Sequence, residues 1–307
     1  MAEAFRDVFT TSSDGLTLYA RDYGPVAGGA LPVVCLPGLA RHSGDFHDLA
    51  LALANDERIP RRVLALDYRG RGRSDWDPNW RNYDVRVELT DVLQVLTATG
   101  IGVGVFVGNS RGGLITMALS AAQPALIRAA VLNDIGPVID ARGLVRIRGY
   151  VGKLPGPGSM AEGAQILKRI SHAQFPRITD AQWERMARGT WHEQDGRLVL
   201  SYDPMLMKTL ETLDLEAPIP TLWPLFEGLK PVPVMVIRGA NSDLLSQETV
   251  AEMQALHGRL EIVTVPRSGA CAFAGGRRDR ADPGLRAGGI GALIAERIRA
   301  FTWGEMR

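Results

Sequence analysis

Apolar and polar positions alternate in two different ways along the first part of the chain. Residues 7–11 and 16–23 flank the turn sequence Ser-Ser-Asp-Gly, and this pattern predicts an antiparallel hairpin. After it, apolar runs alternate with segments of helical periodicity: strands are predicted over 32–36, 62–66, 103–107 and 129–132, and helices over 46–54, 87–99 and 110–122. This alternation predicts an α/β fold with a mostly parallel sheet and helices on both faces.

The alternation stops at about Pro137. Residues 138–230 carry helical patterns, with breaks at 155–158, Pro176 and 195–196. Strand and helix signals then return: strands are predicted over 232–237 and 260–265, a helix over 247–256, and a further helical pattern over 290–301. The sequence therefore predicts a core of residues 1–137 and 231–307, with a helical insertion, 138–230, after the sixth strand.

Composition and charge narrow the range of partners. The 307 residues carry 35 Lys and Arg against 34 Asp and Glu, so neither nucleic acid nor a membrane surface is an expected partner. The N-terminus lacks the pattern of a signal peptide, and no apolar run approaches the ~20 residues of a membrane span. The two cysteines are Cys35, in an apolar run, and Cys271. We expect a cytoplasmic protein without disulfides, metal or cofactor that acts on a small molecule, and its oligomeric state stays open.

The sequence Gly-Asn-Ser-Arg-Gly, at 108–112, lies between a predicted strand and a predicted helix. Two glycines around a serine allow a tight strand-to-helix turn that lifts the Ser110 hydroxyl out of the sheet, at the N-terminus of a helix. The alternative is an ordinary glycine-rich turn with a serine cap. In this context we expect Ser110 to be a nucleophile.

Two further strand ends carry groups that suit acyl-transfer chemistry, because sites in open parallel sheets form at the carboxyl ends of strands. Gly38 would let the Leu39 N–H point towards the site, beside the Arg111 N–H, and two such donors would form an oxyanion hole. Asp243 follows the strand 232–237 and is placed to orient a histidine that would deprotonate Ser110. Arg41 is a candidate for binding a substrate carboxylate.

Together, these features resemble the α/β-hydrolase family over essentially the whole chain. The matching sequences are Leu-Pro-Gly-Leu at 36–39, Asp-Tyr-Arg-Gly-Arg-Gly-Arg-Ser at 67–74, the serine turn at 108–113, Asn-Asp-Ile-Gly-Pro at 133–137 and Arg-Gly-Ala-Asn-Ser-Asp at 238–243. The family's usual His-Gly on the oxyanion loop is Pro37-Gly38 here, a change that a backbone donor tolerates. A serine nucleophile argues against a haloalkane dehalogenase. The resemblance implies that residues 138–230 form the cap over the substrate site.

One part of the family pattern is missing. A Ser-His-Asp enzyme of this family carries its histidine just after the last strand, but this chain has no histidine beyond residue 257. The five histidines are His42, His47, His172, His192 and His257. His257 precedes the strand, at its wrong end. His42 lies on the oxyanion loop and is a weak candidate for the base.

The genetic code offers an explanation for the missing histidine. With the codons GGG-GCA-TGC-GCC-TTT-GCT-GGC for residues 269–275, reading one base later gives Gly-His-Ala-Pro-Leu-Leu, which resembles the family's histidine motif at the place where it is due. We therefore hypothesise a frameshift near residue 268, either real or introduced by sequencing. Residues 267–289, rich in Gly, Arg and Ala, are expected to be poorly ordered.

Two classes of function remain open. The first is a serine hydrolase acting on a small ester, a lactone or an activated C–C bond; the closest motifs are those of ring-cleavage-product hydrolases and enol-lactonases, whose substrates are carboxylates. In that case the chain as written is expected to be impaired. The second is a non-catalytic, α/β-hydrolase-like binding protein, which the missing histidine favours. For Asp134 a structural role is preferred over that of an alternative acid.

Overall fold

The computed structural model describes residues 4–176, 178–266 and 294–299. Its sheet contains β1 (Arg6–Thr11), β2 (Thr17–Tyr23), β3 (Val33–Leu36), β4 (Val63–Asp67), β5 (Gly104–Asn109), β6 (Ile127–Asn133), β9 (Val234–Gly239) and β10 (Leu260–Val265). The helices of the same part are α1 (His47–Ala54), α2 (Val85–Ala98), α3 (Arg111–Ala122) and α9 (Gln247–Leu256). The segment between β6 and β9 holds α4 (Ala141–Tyr150), α5 (Met160–Ser171), α6 (Asp180–Arg188), β7 (Trp191–Gln194), β8 (Arg197–Leu200), α7 (Met207–Glu211) and α8 (Trp223–Glu227).

The eight strands form one sheet in the order β1-β2-β4-β3-β5-β6-β9-β10. The hairpin of β1 and β2 is antiparallel and joins β4 in antiparallel register, whereas the strands from β4 to β10 pair in parallel. Because β3 and β5 are central and parallel, their carboxyl ends lie side by side, and Leu36 pairs with Gly108. This register brings the loop that follows β3 next to the serine turn.

Both faces of the sheet are covered, as the apolar strands require. Along β5, Phe106 packs in one core cluster, whereas Val105 and Val107 pack in the other, which follows from the twofold alternation of side chains in a strand. Helices α2, α3 and α9 contribute to the first cluster, and α1 contributes to the second together with Ile294, Ala295 and Ile298 of the helical residues 294–299. The predicted mostly parallel sheet with helices on both faces is confirmed.

The segment between β6 and β9 differs from the prediction in one element. Only helices were predicted there from the sequence, but β7 and β8 form an antiparallel hairpin. Asp195 and Gly196 connect the two strands with φ values of 50° and 72°. Two consecutive positive φ values are what a two-residue type I′ turn requires, and Asp-Gly is a preferred sequence for it.

Two smaller expectations can be compared with the structure. Cys35 is a free, buried thiol, while Cys271 lies outside the described residues. Among the helices that the model describes, none combines the length and the apolar character needed to cross a membrane.

Candidate active site

Ser110 follows β5 and immediately precedes α3, with φ 48° and ψ −109°. This backbone conformation is rare for a residue with a side chain. The two flanking glycines allow it, because a Cβ on Gly112 would lie 2.0 Å from the Leu36 carbonyl oxygen and one on Gly108 would lie 2.5 Å from the Gly112 backbone. The predicted tight turn is therefore present, and it sets the Ser110 side chain at the N-terminus of α3.

Two backbone N–H groups near Ser110 belong to Leu39 and Arg111. The Leu39 peptide lies in the loop after β3, where Arg41 N donates to Gly38 O at 3.2 Å. The Leu39 carbonyl accepts a hydrogen bond from Arg71 Nε at 2.8 Å. Arg111 is the first residue of α3, a position whose N–H has no partner within its own helix.

Behind these two peptides lies a buried ion cluster of Arg71, Glu88 and Arg111. Glu88 Oε1 pairs with Arg71 Nη1 at 2.7 Å, and Glu88 Oε2 accepts from Arg111 Nε at 2.7 Å. Arg71 and Glu88 have fully buried side chains. Burial acts against the charged form of Glu88, but Arg111 and Arg71 outweigh it and hold the pKa of this carboxyl below its ordinary value. One carboxylate thus links the oxyanion loop to the start of α3.

Ser110 opens into a cavity of about 180 Å³, the Ser110 cavity. Its lining comes from the strand-end loops and from the segment after β6. The described residues that line it are Gly38, Leu39, Ala40, Arg41, Asp45, Asn109, Ser110, Arg146, Ile147, Tyr150, Val151, Leu154, Leu167, Ile170, Ser171, Phe175, Met186, Thr190, Tyr202 and Leu244. Most of them are apolar, so the cavity suits a small, partly apolar ligand.

Asp243 lies in the loop after β9, as predicted, but its partner is an arginine. Arg146, on α4, donates from Nε to Oδ2 at 2.6 Å and from Nη2 to Oδ1 at 2.8 Å. Gln174 Nε2 donates to the same carboxylate at 3.4 Å. Asp243 is not among the described residues that line the Ser110 cavity, whereas Arg146 and Leu244 are.

Asp134 is the second carboxylate at this end of the sheet. It follows β6, is fully buried, and has a φ of 53°. Burial raises its pKa to about 6, although Ser242 and the Gly239 backbone act in the opposite direction. Its position next to the Asp243 loop makes it a neighbour of the candidate acid.

Arg41 lines the Ser110 cavity, but its guanidinium is already engaged. Nε and Nη2 donate to Asp45 at 2.7 and 2.5 Å, and Nη1 donates to Thr190 Oγ1 at 2.9 Å. Arg111, whose backbone N–H is a candidate oxyanion-hole donor, directs its side chain to Glu88 and to the Tyr83 carbonyl. The sequence analysis did not identify Arg146, because no local motif signals that α4 lies against the Asp243 loop.

All five histidines lie within the described residues, and none lines the Ser110 cavity. His257 is buried at the far end of β10, where its Nε2 lies 3.0 Å from the Leu229 carbonyl oxygen. His42 uses Nδ1 to accept a hydrogen bond from Gly44 N at 3.1 Å. The residues that would carry the histidine motif under the frameshift hypothesis, 269–275, lie outside the described residues, as does the segment 267–289 that was expected to be poorly ordered.

Comparison with known proteins agrees with this fold. The model of the alpha/beta hydrolase family matches residues 33–279. A 3-hydroxybutyrate-oligomer hydrolase of Cupriavidus necator is 35% identical over 244 residues, which cover 77% of this chain and 81% of that protein. An sn-1-specific diacylglycerol lipase of Danio rerio is 26% identical over 247 residues, covering 78% of this chain and 72% of that protein.

A solved structure has the same fold. The crystal structure of an alpha/beta hydrolase from Novosphingobium aromaticivorans aligns with a TM-score of 0.82 and 38% identity, covering 92% of this chain and 96% of that one. The family model spans most of the sequence, and the resemblance stated from the motifs is confirmed. The chain belongs to the alpha/beta hydrolase family, with the fold of that family.

Proposed function

We propose that this chain is a serine hydrolase whose nucleophile is Ser110. The observation that carries the proposal is the strained backbone of Ser110, φ 48°, at the junction of a central strand and a helix beside a cavity. A non-glycine residue keeps such a conformation only where the surrounding structure enforces it, and such residues cluster at active sites. Two close-packed glycines enforce it here.

The oxyanion hole in this proposal is formed by the N–H groups of Leu39 and Arg111. As the Ser110 oxygen attacks a carbonyl carbon, negative charge develops on the carbonyl oxygen, and two fixed donors stabilise it. Each such donor contributes roughly 3 kcal/mol to transition-state stabilisation. Support comes from the register of β3 and β5, which places the two loops next to each other.

Asp243 is the proposed acid, which would orient a histidine base. The cavity contains no histidine, so Ser110 lacks a positioned base in the chain as written. We propose that a frameshift near residue 268 removed it. The chain as written then retains only the contribution of the oxyanion hole and of substrate binding, which leaves about 10³–10⁴ of acceleration over water in enzymes with disabled triads.

The proposed substrate is a small molecule with an ester, lactone or activated C–C bond, which bears a carboxylate. Residues 138–230 act as its cap and residues 1–137 and 231–307 as the core, since the cavity lies between α4–α6 and the strand-end loops. Support for an ester with a carboxylate comes from the name of the Cupriavidus relative, because 3-hydroxybutyrate oligomers are chains of esters that end in a carboxylate. Arg41 was the sequence candidate for the carboxylate site.

A non-catalytic binding protein is the alternative function. It is favoured by one observation: Asp243 is paired with Arg146 rather than with a histidine. In that case the Ser110 cavity would bind its ligand without turnover.

The two functions differ in the reactivity of Ser110. In the version read in the +1 frame after Arg267, which would carry the histidine base, a fluorophosphonate probe should label Ser110, as mapped by peptide mass spectrometry. Ser171→Ala is the matched control, because Ser171 also lines the cavity, and it should keep the label. Ser110→Ala should lose it. Labelling that survives Ser110→Ala would refute the assignment of the nucleophile.

A further inference from the structure

We propose that Arg146 and Tyr150 of α4 form the subsite that binds the substrate carboxylate in the Ser110 cavity. The inference rests on the proposed function and deepens it, because it names the residues that would select an acidic substrate. It also replaces Arg41, the candidate from the sequence.

The charges that face the cavity lead to this assignment. Arg41 and Asp45 both line it and neutralise each other through a bidentate pair, and Thr190 takes the remaining guanidinium edge of Arg41. Arg146 also lines the cavity, whereas its partner Asp243 does not. Among the described lining residues, Arg146 is thus the cation whose carboxylate partner does not itself line the cavity.

The Arg146 guanidinium is held in place by the packing of α4 on the Asp243 loop. Gly143 N donates to Asp243 O at 3.0 Å, and Asp140 N donates to Leu244 O at 3.0 Å. A Cβ on Gly143 would lie 2.5 Å from the Leu244 side chain, so the helix and the loop are in direct contact. The pair with Asp243 uses Nε and Nη2, and the Arg146 side chain also hydrogen-bonds the Tyr150 hydroxyl. A group fixed in this way binds an anion with little loss of side-chain entropy.

Tyr150 adds a neutral donor on the same side of α4. It lies four residues after Arg146, the spacing at which helical side chains are neighbours, and it lines the cavity. Burial raises the pKa of its phenol, so the hydroxyl stays protonated and can donate. The nearby lining is apolar: Ile147, Val151 and Leu154. An ionic hydrogen bond is stronger in such surroundings than in water.

The size of the cavity limits the ligand. A volume of about 180 Å³ is small for a ligand cavity, so a compact substrate is favoured. The subsite would thus hold the carboxylate end of a short ester, with the bond to be cleaved near Ser110.

A binding experiment tests the subsite on the chain as it is, because it requires no turnover. The dissociation constants of 3-hydroxybutyrate and of its neutral amide, 3-hydroxybutyramide, are measured by calorimetry or NMR titration. The parent should prefer the acid at least tenfold, as expected for a charge-assisted hydrogen bond of about 1.5–3 kcal/mol. Arg146→Gln should abolish the preference and Tyr150→Phe should reduce it. Arg142→Gln, on the same helix but exposed and paired with Asp140, should leave it unchanged.

The outcomes separate this inference from the proposed function. Ser110→Ala should still prefer the acid, whereas any hydrolysis of 4-nitrophenyl butyrate should depend on Ser110. Two results would overturn the subsite but not the nucleophile, provided that hydrolysis depends on Ser110. In the first, the parent does not bind the acid. In the second, Arg146→Gln prefers the acid over the amide as strongly as the parent does. If hydrolysis does not depend on Ser110 but the preference follows Arg146, the proposed nucleophile is overturned alone. If Arg146→Gln fails to fold, Tyr150→Phe still tests the subsite, because it should reduce the preference for the acid.

Discussion

Ser110 and Asp134 follow neighbouring strands, β5 and β6, and both have a positive φ, 48° and 53°. Each such conformation costs on the order of 1–3 kcal/mol, which the surrounding packing must offset. The sequence predicted the turn at Ser110, because two glycines flank the serine. It did not predict the backbone of Asp134, since no glycine marks it and the constraint comes from contacts with β9, where Asp134 N donates to Ile237 O at 2.8 Å.

The buried carboxyl of Asp134 should make stability depend on pH. Its pKa is raised from 3.8 to about 6, so between these values the folded protein binds a proton that the unfolded chain has released. Stability therefore falls as pH rises through this window, and a shift of about two units corresponds to about 3 kcal/mol. Asp134→Asn removes the titration but keeps the shape.

We expect the free energy of unfolding of Asp134→Asn, relative to the parent, to rise by about 3 kcal/mol between about pH 4 and about pH 7. Urea denaturation at a series of pH values measures it. A difference between variant and parent that stays constant with pH would contradict a buried, pKa-shifted carboxyl at this position.

At the scale of elements, the ion cluster of Arg71, Glu88 and Arg111 joins three parts of the fold: the loop after β4, helix α2 and the start of α3. Through the Arg71 hydrogen bond to Leu39 O it also reaches the oxyanion loop. This cluster could not be predicted from the sequence, because its members are far apart in the chain and Glu88 resembles any polar residue of an amphipathic helix. The hairpin β7–β8 was missed for a different reason: its Asp-Gly turn was read only as a helix break.

Glu88→Gln should affect both stability and the proposed oxyanion hole. The buried Arg71 and the partly buried Arg111 would lose their shared counterion, which lowers the free energy of unfolding by about 3–5 kcal/mol. Amide hydrogen exchange should rise most in residues 38–41 and 110–114, since the cluster holds these peptides. Glu227→Gln, which breaks an exposed pair with Lys230, is the control and should change little. Loss of stability without a local rise in exchange at these residues would mean that the cluster only stabilises the fold.

At the scale of the whole molecule, the order of strands explains why several residues of the candidate site could be predicted from the sequence. Parallel strands end at one edge of the sheet, so the loops carrying Leu39, Ser110 and Asp243 were expected to converge, and the first two lie together at the cavity. The neighbours that the inserted segment supplies were not predictable. Arg146 reaches Asp243 across 97 residues of sequence, and only tertiary packing decides such a contact.

The central claim is that this hydrolase has kept its nucleophile and lost its base through a change of reading frame near residue 268. The most direct measurement is the hydrolysis rate of 4-nitrophenyl butyrate by the chain as written and by a version read in the +1 frame after Arg267, each with and without Ser110→Ala. The account predicts a gain of several orders of magnitude on restoring the frame, which Ser110→Ala abolishes. The proposal would be contradicted if the chain as written hydrolysed the ester as fast as the restored version, in a reaction that depends on Ser110. His42 would then be the first residue to replace.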